Sequence, residues 1–282
     1  MTDTIQDAEL QRLEELFSSR IVVNLFAFFD DAGTGNAIND PLVSCAGYLG
    51  RDGRWDAFSG KWRQLLRSYH VPPEKFSMKR YAHFKPPFDT WDENRRRSFM
   101  AQGLKLIQRY VQAGFVGVVR KTDYDTYLSE SAKERTGGYF PYCAEMAIGL
   151  VEGYLALKAE RQVWDEFNEY VTYVFEKGSL GAGYVHRAFE AYWGPNRHWL
   201  RTFGDPETKQ SAELHAADIL AYEVCKNFKD VLAGKTTLRH PFTTLVHGVP
   251  HFMLAPDGPE IAAMEQAILG LWERQRMLGL KT

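Results

Sequence analysis

The sequence predicts an α/β protein built as one mixed sheet covered by helices, and three observations support this fold class. The stretch from Ile21 to Phe29 is almost continuously apolar, which is typical of a strand buried on both faces. Several longer segments repeat apolar residues with the helical period. Strand-like and helix-like segments also alternate along the 282 residues, with no internal repeat and no dividing linker.

The first elements are defined by apolar spacing and by turn residues. Residues 5–18 have the spacing of an amphipathic leading helix. The apolar stretch 21–29 and its neighbour 41–49 predict two strands, and the Gly- and Asn-containing loop 33–40 would join them as a hairpin. Helical spacing returns at residues 54–69, where two tryptophans and a phenylalanine recur on one face.

The middle of the chain predicts two strands and two helices. Residues 76–84 are expected to form a strand, followed by a loop at 85–88 that carries two prolines. A helix is expected from about Trp91 to Tyr110, and residues 115–120 form the next predicted strand. Pro141 would begin a long helix that extends to about residue 159, because proline is favoured in the first helical turn.

The last part of the chain continues the alternation. Residues 171–175 predict a strand that ends at Glu-Lys-Gly, and 183–192 a helix. Residues 198–203 are expected to form a further strand, and 211–232 a helix. A terminal helix is expected over 260–278.

The predicted elements make up one domain with a C-terminal helical extension. Residues 1–232 contain the sheet and its helices, together with the leading helix. Residues 233–282 are expected to form a loop and a helix packed on the same domain. Within them, residues 236–259 are rich in Pro, Gly and His and are expected to be irregular.

Composition favours a cytoplasmic protein with no membrane contact. No apolar run approaches the roughly 18 residues that span a bilayer, and the acidic, polar start differs from a secretory signal. The three cysteines are widely separated and odd in number, which suits a reducing compartment. The net charge of −2 neither supports nor excludes nucleic acid as a partner, because a local basic patch would suffice. The oligomeric state cannot be predicted from the sequence.

Three acidic residues lie where an α/β sheet gathers its ligands. Asp30 and Glu176 each follow the carboxyl end of a predicted strand, which is the edge at which such sheets bind ligands. Asp218 falls at the margin of the apolar face of its helix, and His215 lies about one turn earlier. Buried carboxylates require a cation, so a shared Arg, Lys or metal ion is expected beside them.

Each of these residues also has a purely structural interpretation. Asp30 and Asp31 precede Ala-Gly and could belong to a turn. Glu176 could be a solvated strand end, and Asp218 could pair with a lysine or arginine. His83 could be a site residue or a structural histidine.

Two short motifs resemble a known family. Asp30-Asp31-Ala32-Gly33 after an apolar strand resembles the Asp-Glu-Ser-Gly start of domain-of-unknown-function family 3800, a family of bacterial and phage proteins. His215-Ala216-Ala217-Asp218 is similar to that family's Gln-x-x-Asp signature. The strand that ends at Glu176 and the segment from Lys79 to Phe84 also resemble parts of the family pattern, in the same order. Asp31 stands where the family has Glu, and His215 where it has Gln.

The resemblance implies a ribonuclease-H-like mixed sheet flanked by helices and a suspected nuclease activity. It further implies that Asp30, Asp31, Glu176 and Asp218 hold Mg²⁺ or Mn²⁺, and that His215 orients the water or the phosphate. Hard oxygen ligands suit both ions. Lys79, Arg80 and His83 are the candidates for substrate contact.

More than one function therefore stays open. The leading hypothesis is a divalent-metal-dependent nuclease or related phosphoryl-transfer hydrolase. The alternative is a non-catalytic module of the same fold that binds nucleic acid or protein, associated with defence or mobile elements. A weaker third option is a carboxylate-pair hydrolase of a small molecule, which would work in the presence of a chelator.

Overall fold

The computed structural model describes residues 21–34, 40–161, 167–178, 181–192, 201–204 and 210–266. The predicted leading helix at 5–18 and the end of the predicted terminal helix lie outside these ranges. Everything stated below about structure concerns the described residues.

The described chain forms a six-stranded mixed sheet with the order β5-β4-β1-β2-β3-β6. Strands β4 and β5 run parallel to β1, β2 runs antiparallel to β1 and β3, and β6 runs parallel to β3. The strands are β1 (Ile21–Ala32), β2 (Leu42–Arg51), β3 (Ala113–Arg120), β4 (Phe167–Phe175), β5 (Arg201–Phe203) and β6 (His251–Leu254). The predicted α/β class is confirmed, as is the hairpin formed by the first two strands.

Helices cover both faces of the sheet, which explains why the central strands are apolar on both sides. Along β1, Phe26 and Phe28 pack into one helical layer, whereas Leu25, Ala27 and Phe29 pack into the other. The first layer contains α1 (Asp52–Ser68), α2 (Met78–Ala82), α3 (Glu93–Tyr110), α8 (Ala212–Leu232) and α9 (His240–Gly248). The opposite layer contains α4 (Lys121–Tyr127), α5 (Glu130–Thr136), α6 (Tyr139–Arg161), α7 (Ala182–Tyr192) and helical residues 258–266.

Two predictions of local structure are wrong. The expected strand at 76–84 is instead the short helix α2, because Ser77 caps it and the side chains of Phe76, Met78 and Tyr81 are buried in the first layer. The expected irregular segment 236–259 contains α9 and β6. The amide of Gly114 donates to the carbonyl of Pro250, which anchors this segment beside β3.

Within the described ranges, none of the helices combines the length and the apolarity that a bilayer crossing requires.

Candidate metal centre

The parallel pairing of β1 and β4 places Asp30 and Glu176 side by side. Phe29 is the register partner of Phe175, so the next residue on each strand is an acid. By strand alternation, both side chains are directed towards the layer that contains Phe28 and Val174. The two strand-end acids found in the sequence therefore lie at the same edge of the sheet and on the same face.

Asp31 joins these two residues to form a group of three carboxylates. One oxygen from each of Asp30, Asp31 and Glu176 can be chosen so that all three atoms lie within 4.8 Å of one another. Asp30 is 4% exposed and Glu176 is 8% exposed, whereas Asp31 is partly buried. We call this group the acidic triad. Its three ligand atoms come from the carboxyl ends of two parallel strands, the edge at which α/β sheets bind ligands.

Local hydrogen bonds orient the two aspartates of the acidic triad. The backbone amide of Asp31 donates to Oδ1 of Asp30 at 2.8 Å, and the hydroxyl of Thr34 donates to Oδ2 of Asp31 at 2.6 Å. Gly33, which stands between Asp31 and Thr34 in the sequence, has φ +78°. A Cβ atom there would lie 1.9 Å from the carbonyl oxygen of Leu42. The Asp-Asp-Ala-Gly sequence therefore provides both the turn of the earlier structural interpretation and the acidic ligands.

The acidic triad concentrates negative charge in a protected place. Two ionised carboxylates 4.8 Å apart repel each other by about 3 kcal/mol at an effective dielectric constant near 20. The neighbouring thiol of Cys45 responds to this charge. Burial is the main cause that raises its pKa well above the usual value, and the charges of Cys143, Asp31 and Asp30 raise it further. A cation close to all three oxygens would relieve the repulsion.

The donor set of the acidic triad fits a hard divalent ion. Carboxylate oxygens are the ligands that Mg²⁺, Mn²⁺ and Ca²⁺ prefer. Around octahedral Mg²⁺, adjacent ligands are about 2.9 Å apart and opposite ligands about 4.2 Å apart, so oxygens within 4.8 Å of one another would have to draw together to bind one ion. Three carboxylates would leave the remaining coordination positions to water or substrate.

Asp218 is engaged by a backbone contact in the described structure. The group of converging ligands does not include it. Its Oδ2 accepts a hydrogen bond from the backbone amide of Met78 at 2.7 Å, which ties α8 to the first turn of α2. The side chain is partly buried, as expected for a position at the margin of the apolar face of its helix. The structure thus gives Asp218 a helix-capping contact, and its role as a metal ligand stays a prediction.

His215 is buried in the aromatic core of the first layer. It is 2% exposed, and its Nδ1 accepts a hydrogen bond from the indole Nε1 of Trp62 at 2.8 Å. The ring centroid also lies 4.7 Å from that of Phe76. While Nδ1 accepts this bond it carries no proton. The contacts of the Nδ1 side are those of a core histidine, and the proposed role in orienting water or phosphate is untested.

The predicted substrate-contacting residues lie on and just after α2. Lys79 and Arg80 are exposed on this helix, and His83 is the exposed residue that ends it. The hydrogen bond between Asp218 and Met78 connects their helix to α8. These residues therefore belong to the layer that covers the sheet face towards which Asp30 and Glu176 are directed.

Lys121, which follows directly after β3, was not among the residues predicted from the sequence. It is 5% exposed, and its Nζ lies 5.7 Å from the ring centroid of Tyr139. Burial lowers the pKa of its ammonium group, and the charges of Cys225 and Asp125 act in the opposite direction. Since β3 is parallel to β1, Lys121 lies at the same edge of the sheet as the acidic triad. The signal available in the sequence was a lysine at the end of a predicted strand.

Comparisons with known proteins found no relative of this chain. The chain matches no family model, and searches of curated proteins and of solved structures return no match. The function must therefore be argued from the acidic triad and its surroundings.

Proposed function

We propose that the protein is a divalent-metal-dependent hydrolase of phosphodiester bonds, in which the acidic triad holds the metal. The observation that carries the proposal is the convergence of oxygens from Asp30, Asp31 and Glu176 within 4.8 Å at the carboxyl edge of parallel strands. Mg²⁺ or Mn²⁺ is the expected ion, since both accept carboxylate oxygens and leave positions for water. When bound, the ion would supply an activated water and stabilise the charge that develops on the phosphate.

The roles of the protein residues follow from their contacts. Asp30 is held by the amide of Asp31, and Asp31 by the hydroxyl of Thr34, so two of the ligands are oriented before any ion arrives. Glu176 adds a ligand from the neighbouring strand. Lys79, Arg80 and His83 would contact the phosphates of the substrate from α2 and its end.

The resemblance to domain-of-unknown-function family 3800 supports the same proposal. It implies acids on the first strand, at the end of a later strand and on a late helix, and Asp30 lies on β1, Glu176 directly after β4 and Asp218 on α8. We extend the proposal to a ribonuclease-H-like identity for the sheet. In this proposal Asp218 would approach the metal from α8. His215, on the same helix, would orient the water or the phosphate.

A non-catalytic binding module of the same fold is the second candidate function. The contacts of the late helix favour it, because Asp218 accepts the Met78 amide and His215 accepts the Trp62 indole. These hydrogen bonds give both residues a structural role that does not depend on catalysis. Such a module would use Lys79 and Arg80 for recognition and would cleave nothing.

A cytoplasmic location belongs to the proposal as well. All three cysteines are free and buried, and burial raises the pKa of each thiol. Thiols of this kind persist as small apolar groups in a reducing compartment.

The proposal is tested by cleavage of single- and double-stranded DNA and RNA with Mg²⁺, with Mn²⁺ or with EDTA. Wild-type protein should cleave at least one of them only when the metal is present. Asp30→Asn and Glu176→Gln should lower the rate by more than about a hundredfold, because even residues behind metal ligands typically contribute about 10–100-fold. Asparagine at position 30 keeps the acceptor for the Asp31 amide, so the turn should survive.

The matched control is Asp56→Asn, which removes an exposed carboxylate on α1 and should leave cleavage unchanged. Cleavage that continues in EDTA would favour a metal-independent hydrolase instead. Cleavage that survives in Asp30→Asn would contradict the assignment of the acidic triad. A folded wild-type protein that binds nucleic acid and cleaves none of the four substrates would favour the binding module.

A further inference from the structure

A basic surface with one exposed aromatic ring extends from α2 to the start of α3. It comprises the exposed side chains of Lys79, Arg80, Phe84 and Lys85 together with the buried Arg96 that contacts the Phe84 ring, and we call it the α2–α3 surface. Phe84 is 53% exposed, the largest exposed fraction among the large apolar side chains of the described residues. About half of the side chain is therefore left for a contact outside the folded chain.

The backbone of Phe84 adopts a conformation that normally belongs to glycine. Its φ is +51°, and the amide of Lys85 donates to the carbonyl of Arg80. This hydrogen bond and the left-handed residue define a Schellman motif at the end of α2, in which glycine usually takes the left-handed position. A bulky aromatic residue in this position costs about 1–2 kcal/mol. Glycine at position 84 would therefore be less strained than the phenylalanine that the chain has there.

The guanidinium of Arg96 lies against the ring of Phe84. Its Cζ lies 3.7 Å from the ring centroid of Phe84 and 4.5 Å from that of Tyr81. Arg96 is 8% exposed, and its Nη1 makes no hydrogen bond to any described residue. The guanidinium thus covers one face of the Phe84 ring, which leaves the opposite face as the one that meets solvent. An exposed flat ring held on a buried cation is a stacking platform.

The charge around this platform complements a polyanion. Between residues 75 and 97 the sequence has seven basic and three acidic side chains, in a chain whose net charge is −2. Two of the acids are already engaged, since Glu93 pairs with Arg97 and Asp92 accepts the amide of Arg95. Lys79, Arg80 and Lys85 are exposed beside Phe84. Phosphates bound near the ring could therefore pair with these exposed positive charges, although Arg80 also donates to the carbonyl of Pro86.

We propose that the α2–α3 surface binds single-stranded nucleic acid, with a base stacked on Phe84 and phosphates on Lys79, Arg80 and Lys85. A single strand fits because its bases expose their faces, whereas a duplex hides them between neighbouring pairs. The inference rests on the proposed function only in treating this strand as the substrate. The binding itself requires no metal, so it can be measured with the acidic triad empty.

The test is fluorescence anisotropy in EDTA with four labelled ligands of about twelve nucleotides, which is within the range of single-strand site sizes. These are oligo(dT), oligo(U), a DNA duplex and an abasic strand. We expect oligo(dT) and oligo(U) to bind more tightly than the duplex and the abasic strand. Phe84→Leu should weaken single-strand binding about 5- to 100-fold, and Phe84→Trp should retain it. Tyr127→Leu removes an exposed aromatic ring from the opposite layer and should change nothing.

A double variant tests the phosphate contacts separately. Replacing Lys79 and Arg80 by glutamine should lower the slope of log affinity against log salt by about 1.4, since each phosphate contact in a single strand contributes about 0.7. Tighter binding of oligo(dT) than of oligo(U) would identify DNA as the preferred strand. Tighter binding of oligo(U) would identify RNA.

Several results would overturn the inference. They are equal affinity for the abasic strand and oligo(dT), unchanged binding by Phe84→Leu, and absence of binding by wild-type protein at low salt. Its failure is distinguishable from failure of the proposed function. Failure of the inference is read from nucleic-acid binding in EDTA. Failure of the proposed function is read from metal-dependent cleavage by Asp30→Asn.

Discussion

Glu145 on α6 is the single residue with the clearest consequence for stability. Burial is the first cause that raises its pKa to about 7, and the nearby charge of Arg135 acts in the opposite direction. Between its ordinary value of 4.5 and about 7, the folded protein keeps a proton on Glu145 that the unfolded chain has released. The free energy of unfolding should therefore fall as the pH rises through this window.

Urea unfolding at about pH 5 and about pH 7.5 measures this effect. We expect the wild-type protein to lose up to about 2 kcal/mol more than Glu145→Gln between the two values, because glutamine carries no proton to release. Glu134→Gln, which changes an exposed acid on α5, serves as the control and should follow the wild type. Equal losses in wild type and Glu145→Gln would contradict the assignment.

At the level of residues, the sequence indicated two of the acids that converge but not how they meet. Asp30 and Glu176 were identified because each follows an apolar strand. Their adjacency depends on the register Phe29 to Phe175, which two strands separated by about 140 residues acquire only on folding. Asp31 was a candidate only through the family resemblance, and strand alternation by itself would direct it to the opposite face. It is the next-to-last residue of β1, just before the turn at Gly33, and its oxygen nevertheless lies with those of Asp30 and Glu176.

Among the elements, α2 shows most clearly how tertiary contacts override a local pattern. Phe76 and Met78 are apolar and Ser77 between them is polar, an alternation that is typical of a strand. A five-residue helix cannot form alone, because nucleation is costly. It forms here because Ser77 accepts the amide of Arg80 and Asp218 accepts the amide of Met78. The second acceptor is 140 residues away, so local sequence could not indicate it.

This contact predicts how α2 depends on Asp218. Asp218→Ala should lower the free energy of unfolding by about 1–2 kcal/mol, since it removes a charged acceptor from the first turn of a helix. Asp218→Asn keeps an oxygen acceptor and should cost much less. Chemical denaturation of the two variants measures the difference, and equal costs would show that the hydrogen bond contributes little. The Mn²⁺ affinity of Asp218→Asn then separates a ligand from a cap, because only a ligand would weaken binding tenfold or more.

For the whole molecule, local connections could be predicted and long-range pairings could not. The β1–β2 hairpin follows from two apolar strands and a short loop. The parallel position of β4 beside β1 and of β6 beside β3 depends on long crossovers that leave no local signal. The strand β6 has four residues and partly buried side chains, so its segment resembles an irregular loop in the sequence.

The distribution of charge over the molecule was visible only in part. A net charge of −2 gives no indication that basic side chains predominate between residues 75 and 97. The structure places these residues on α2, on α3 and between them, in the layer towards which Asp30 and Glu176 are directed. Asp30, Glu176 and these basic side chains are thus associated with the same face of the sheet, an arrangement that suits the proposed phosphodiester substrate.

The central claim is that Asp30, Asp31 and Glu176 share one divalent cation, and isothermal titration calorimetry with Mn²⁺ tests it most directly. We predict saturable binding to the wild-type protein and to Asp56→Asn, and affinity at least about tenfold lower for Asp30→Asn and Glu176→Gln. Mn²⁺ binding of equal strength in wild type and in both triad variants, or no binding by the folded wild-type protein, would contradict it.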